Sequence, residues 1–179
     1  MPKYVYTMRK RKIILAVILL MVGSFVVILP KVRDRKEQPM RAQVKSGIEV
    51  LRERNFDILQ GKRVGLCTNP TGVDRNLVST IDILWEADNV NLVALYGPEH
   101  GVRGNIYAGD HVDNDVDART GLKMYSLYGK TSKPTQEMMD EIDVMVYDIQ
   151  DIGCRSYTYI STMGNLMEAC QAYGKELVV

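Results

Sequence analysis

Apolar positions in this chain fall into runs of two kinds, and the difference between them lays out the elements. Near the N-terminus the basic cluster Arg9-Lys10-Arg11-Lys12 precedes an uninterrupted apolar run from Ile13 to Leu29. The run is about 17 residues long, at the short end of what a spanning helix needs. It lacks the polar face that a surface helix of a globular domain shows. No small-x-small cleavage site follows; Pro30, Lys31 and Arg33 come next. Residues 13–30 therefore read as an uncleaved signal anchor, with residues 1–12 as a basic cytoplasmic segment. A cleaved signal peptide is the alternative, and either one exports the remainder. Residues 31–43 are charged, carry Pro39, and read as a solvated tether.

From residue 44 the apolar runs become short and alternate with helical stripes. Val44, Ile48 and Leu51 make one short stripe ending near Arg54. Val64 to Thr68 reads as a first strand. Asn76 is placed to cap a helix whose apolar residues Leu77, Ile81, Leu84 and Trp85 share a face. Val90 to Tyr96 is a second, buried strand. Ile106 to Gly121 reads as a long polar loop, and Met124 to Tyr128 as a short strand. Pro134-Thr135 opens a helix over 136–141, and Asp143 to Ile149 is the next clear strand. Tyr159 to Tyr173 follows as a helix, with Met163, Leu166, Met167 and Cys170 on one face and Gly174 as its stop. Glu176 to Val179 looks like a strand just begun, with no turn or cap after it, so the domain is expected to continue. The repeating strand–helix–strand order predicts an α/β class with a mostly parallel sheet over residues 44–179.

Composition narrows the function classes. A formal net charge of +1 over 179 residues argues against a nucleic-acid partner, which would call for a strongly basic domain. The three cysteines, Cys67, Cys154 and Cys170, are widely spaced and make no C-x-x-C pair, so zinc and redox motifs are not indicated. Cys67 and Cys170 sit in apolar patterns and read as buried small hydrophobes. No G-x-G-x-x-G follows the first strand, no P-loop occurs, and no Gly-x-Ser-x-Gly elbow appears. No cofactor is expected.

Three polar clusters follow three of the strands: Asn69 to Gly72, Gly97 to Arg103, and Asp148 to Arg155. In open parallel sheets ligands bind beyond the carboxyl ends of the strands, where all three lie. Glu99, inside Gly97-Pro98-Glu99-His100-Gly101, is set up as a general acid or base. Glycoside cleavage needs an acid for the leaving oxygen and a second carboxylate for a nucleophile or a water. Asp148 and Asp151 are the local candidates for that second role. Asn69, His100, Arg103, Gln150 and Arg155 are candidate ligand contacts, and Tyr157 and Tyr159 can stack on a sugar face or pack on the sheet. Arg155 can instead hold one of the aspartates in a purely structural ion pair. The alternation Asp113, Asp115, Asp117 hints at a calcium loop, but Ala118 stands where its glycine belongs and Met124 where its closing glutamate belongs. A metal-dependent hydrolase using His100, Asp110 and His111 and a non-catalytic glycan-binding module remain as rivals, and no metal site is expected.

Four stretches together resemble a known family. They are Gly-Leu-Cys-Thr-Asn-Pro-Thr-Gly (65–72), Tyr-Gly-Pro-Glu-His-Gly-Val-Arg-Gly (96–104), Tyr-Ser-Leu-Tyr-Gly (125–129) and Tyr-Asp-Ile-Gln-Asp-Ile-Gly-Cys-Arg-Ser-Tyr-Thr-Tyr (147–159). In order and spacing they resemble the NamZ-type exo-β-N-acetylmuramidases, from about Gly47 to the last residue. The resemblance implies an exported bacterial glycosidase that releases N-acetylmuramic acid from the non-reducing ends of peptidoglycan fragments. It implies a Rossmann-like first domain and a smaller second one, absent from this chain, with the active site between them. Glu99 matches the acid of the family's Gly-Pro-Glu-His-Gly motif. Ser156 departs from the pattern, standing where a bulkier residue is expected.

Overall fold

The computed structural model describes residues 44–105 and 115–179. The apolar run, the tether and the segment holding Asp110, His111 and Asp113 lie outside those residues. Among the described residues no helix is long and apolar enough to cross a membrane.

The elements in order are α1 (Gly47–Glu53), β1 (Arg63–Thr68), α2 (Thr80–Trp85), β2 (Asn91–Gly97), β3 (Asp115–Val116), β4 (Lys123–Ser126), α3 (Gln136–Asp140), β5 (Val144–Asp148), α4 (Tyr159–Tyr173) and β6 (Glu176–Val178). They build one sheet in the order β3-β4-β2-β1-β5-β6. Every pairing is parallel except the two-residue β3 against β4. The chain steps outward from β1 through β2 to β4, then returns to the other side of β1 with β5 and β6. The order therefore reverses between β1 and β5, and such a reversal leaves a crevice at the strand ends.

Both faces of the sheet are covered, which is why its central strands read as continuous apolar runs. Val64 and Leu66 of β1 join Val144 and Val146 of β5 on one face, packed with Ile48, Ile81 and Leu84 of α1 and α2. Cys67, Met145 and Tyr147 point to the other face and meet Met139, Leu166 and Cys170 of α3 and α4. In β2 the spacing slips: Val64 pairs with Leu92 but Gly65 pairs with Ala94. This irregularity at Val93 puts Leu92 and Leu95 into the same core although they are three residues apart.

Most sequence expectations hold here, including the ends of α4 at Gly174 (φ 65°) and of α3 at its Thr135 cap. The helix after β1 differs. It begins at Thr80, capped by Ser79, whose hydroxyl accepts from the Ile81 amide at 3.2 Å. Asn76 cannot cap it, because Asp74 Oδ1 takes the Asn76 and Val78 amides at 2.8 and 3.0 Å and winds those residues into a turn. Leu77 is then left-handed (φ 62°) and 80% exposed, and Trp85 is also exposed, so the apolar residues the helix buries are Ile81, Ile83 and Leu84. On α4, Met167 faces solvent, and Thr162 and Ala169 complete the inner face with Leu166 and Cys170. The polar loop before β4 contributes β3, too short to leave a period-2 signature.

Candidate functional site

At the reversal point the loops after β1 and β5 are tied together. Thr68 Oγ1 donates to the Asp148 carbonyl at 2.7 Å. Asn69 is 3% exposed, and its Oδ1 accepts from the Thr71 amide at 2.9 Å and the Thr71 hydroxyl at 2.6 Å. Thr71 Oγ1 in turn accepts from the Gln150 amide at 2.8 Å. Asn69 therefore braces its own loop as an Asx turn. The Gln150 side chain reaches only as far as the Asp151 carbonyl, at 2.9 Å. Gly72 lies so close under this seam that a Cβ would stand 2.2 Å from Thr68 Oγ1.

Glu99 sits one strand over, in the turn that ends β2. The Gly101 amide donates to the Pro98 carbonyl at 2.9 Å, and His100 and Gly101 both take positive φ, 72° and 74°. A left-handed residue at the third position of the turn is what a type II geometry requires. Glu99 and His100, both half-buried, line a cleft of about 160 Å³ together with Ser156, Tyr157, Thr158 and Tyr159. Tyr159 opens α4 and is buried, its carbonyl accepting from the Tyr147 hydroxyl at 3.0 Å. Tyr157 is 45% exposed, its ring 6.0 Å from that of Tyr159 at an interplanar angle of 58°. One wall of the cleft thus offers a carboxyl and an imidazole, and another an aromatic pair, a combination suited to a sugar ring.

Sequence reasoning missed one member. The Glu99 carboxylate beside the Tyr128 phenol pushes the phenol pKa up. The only trace of Tyr128 in the sequence is the Tyr125–Gly129 stretch; what brings it toward Glu99 is the parallel pairing of β2 with β4, which sets Gly97 against Ser126.

The remaining candidates separate. Asp148 accepts from the Thr80 hydroxyl and lines a different, apolar cavity of about 310 Å³ between α1 and the β5–β6 edge, with Ile48, Leu51, Val146 and Val178. Asp151 Oδ1 accepts from the Gly153 amide at 2.6 Å, while its Oδ2 is buried with no hydrogen-bond partner among the described residues. Arg155 is exposed and, among the described residues, pairs with neither aspartate. Cys154, also exposed, meets the Ser156 hydroxyl at 3.1 Å.

Arg103 is taken up by two buried carboxylates. It reaches Asp117 through Nε and, at 2.9 Å, through Nη2, and reaches Asp82 of α2 at 3.0 Å. Asp117, a possible member of the calcium loop, is thereby an ion-pair partner and also accepts from the Thr120 amide and hydroxyl at 3.0 and 2.8 Å. Among the described residues no group of three or more His, Cys, Asp or Glu side chains could hold a metal ion. The Arg103 guanidinium, then the Thr120 contacts, hold the Asp117 carboxyl down at about 2, against an ordinary 3.8. Because the folded value is depressed, this stabilisation is complete above pH 3.8 and fades as the pH falls through about 2. Asp117→Asn should lower the melting temperature by several degrees at neutral pH, and the gap from the parent should close toward pH 2. A gap that stays constant across that range in thermal melts would contradict the ion-pair account.

A family model described as the N-terminal part of the exo-β-N-acetylmuramidase NamZ matches residues 64–179. The chain is 45% identical over 161 residues to the peptidoglycan β-N-acetylmuramidase NamZ of Bacillus subtilis (strain 168), covering 90% of this chain and 39% of that protein. Crystal structures of two DUF1343 family proteins from Bacteroides fragilis NCTC 9343 are also similar. One is 67% identical with a TM-score of 0.70 and the other 38% identical with a TM-score of 0.62. Each comparison covers 76% of this chain and 34% of the other, so the chain spans well under half the length of these relatives.

Proposed function

The chain belongs to the family of NamZ-type exo-β-N-acetylmuramidase N-terminal domains, and from that premise we propose that it is the acid-bearing part of an exo-acting peptidoglycan glycosidase. The substrate is a peptidoglycan fragment with N-acetylmuramic acid at its non-reducing end, and the reaction releases that sugar. The observation that carries the reading is the position of Glu99, on the wall of the cleft that Tyr157 and Tyr159 also line. There it acts as general acid on the glycosidic oxygen while the aromatic pair holds the ring. Asp151 supports the second-carboxylate role better than Asp148 does, since among the described residues it keeps a buried oxygen without a donor while Asp148 is engaged by Thr80. The basic cluster and apolar run of residues 9–29 suit a protein that must reach the cell wall.

The test uses the whole natural reading frame that encodes this chain. It is incubated with two disaccharides, one bearing N-acetylmuramic acid at the non-reducing end and one bearing N-acetylglucosamine there. Free N-acetylmuramic acid is expected from the first and no cleavage of the second. Tight binding of the first without cleavage would replace this reading with that of a glycan-binding module.

A further inference from the structure

Parallel pairing of β2 with β4 brings two loops together at the carboxyl edge of the sheet. Gly97 is opposite Ser126, and the Leu127 amide donates to the Gly97 carbonyl at 2.8 Å. The chain past each strand is then tightly wound. On the β2 side the Pro98–Gly101 turn fixes the backbone of Glu99. On the β4 side Ser126 Oγ donates to the Tyr128 carbonyl at 2.9 Å and stands 3.2 Å from the Tyr128 amide, while Leu127 is buried as an anchor. Two short, braced loops thus bring Glu99 and Tyr128 to the same edge, and the Glu99 carboxylate acts on the Tyr128 phenol.

We propose that Tyr128 is a positioning residue for Glu99, its hydroxyl holding one carboxyl oxygen so that the other is directed at the scissile glycosidic oxygen. The inference rests on the reading of Glu99 as general acid. A glutamate has three side-chain torsions, and a fixed backbone leaves its carboxyl free to sweep the cleft mouth. A phenol suits the restraint because it offers one donor on a rigid two-torsion side chain. It is also uncharged at working pH, so it places no second charge beside the acid. The cleft is lined by Glu99 and not by Tyr128, which fits a residue that acts through Glu99.

The experiment compares Tyr128→Phe, Glu99→Gln and the double variant in the protein made from the whole reading frame. Two substrates are used: the natural disaccharide and an aryl muramic acid glycoside whose good leaving group needs little protonation. On the disaccharide, Tyr128→Phe should lower kcat by ~10–100-fold with KM within about twofold, the scale of a misaligned reacting group. On the aryl glycoside the loss should shrink to less than about threefold, since acid assistance is then dispensable. In the Glu99→Gln background, Tyr128→Phe should add nothing. An equal loss on both substrates, or a loss additive with Glu99→Gln, would make Tyr128 structural and overturn the proposal. If Glu99→Gln is impaired and Tyr128→Phe is not, Tyr128 fails alone and the acid assignment stands. If Glu99→Gln cleaves the disaccharide normally, the acid assignment fails and takes this inference with it. Should Tyr128→Phe not fold, Tyr128→Met is read against the same criteria.

Discussion

Glu99→Gln is expected to slow hydrolysis of the natural muramyl disaccharide by ~10²–10⁴-fold while leaving its binding intact. The substitution keeps the volume and the hydrogen-bonding reach of the side chain and removes only the titrating proton. The surrounding backbone has no reason to respond. The turn is set by the Gly101 amide on the Pro98 carbonyl and by the positive φ of His100, neither of which involves the Glu99 side chain. The amide occupies the same place beside Tyr128, and the ring pair of Tyr157 and Tyr159 is untouched. Any rate loss is therefore a loss of proton donation. An aryl glycoside is the wrong substrate for this measurement, because a phenolate leaves without help. Single-turnover rates and equilibrium binding on the disaccharide separate the two effects. Undiminished cleavage of that substrate by Glu99→Gln would remove Glu99 from the mechanism.

Gly72→Ala should cost the fold about 2–3 kcal/mol, in the range of overpacked sites. For a domain of this size that is a drop in melting temperature of roughly 5–10 °C. The added Cβ would stand 2.2 Å from Thr68 Oγ1 and 2.8 Å from the Asp148 carbonyl. Those two atoms hydrogen-bond each other across the reversal point. The Thr68 hydroxyl can escape only by rotating and giving up that bond, and the Asp148 carbonyl is backbone at the end of a paired strand. Relief must then come from moving the Asn69–Gly72 loop, which also carries the Thr71 hydroxyl that receives the Gln150 amide. In a Thr68→Ala background the closest contact disappears but the approach to the carbonyl remains, so Gly72→Ala should cost less there yet still be destabilising. A Gly72→Ala protein that melts within a degree of the parent would show that the seam between the β1 and β5 loops has slack.

Much of the architecture was legible in the sequence because it depends on neighbours along the chain. The central strands announce themselves as apolar runs since both faces are covered. The Thr135 cap and the left-handed Gly174 mark helix ends by local chemistry alone. The placement of polar clusters after strands was likewise readable, and in the fold Glu99 and His100 of one cluster line a cleft with Tyr157 and Tyr159. Where local signals competed, reading failed. Asn76 and Ser79 are both acceptable caps, and the outcome turned on Asp74 taking the amides around Asn76. What the sequence could not assign is the partner of each charged or hydroxylated side chain, because those partners lie on other strands. Arg103 is a ligand contact by motif but an ion-pair brace by geometry, once Asp82 and Asp117 converge on it. Asp148 and Asp151 stand three residues apart and are equivalent as letters, yet Thr80 engages one and the other keeps a buried oxygen unpaired among the described residues. Tyr128 meets Glu99 only through the parallel register of β2 and β4. Local propensity and burial set which elements form; strand order and register, decided by the packing of the whole sheet, set which side chains meet.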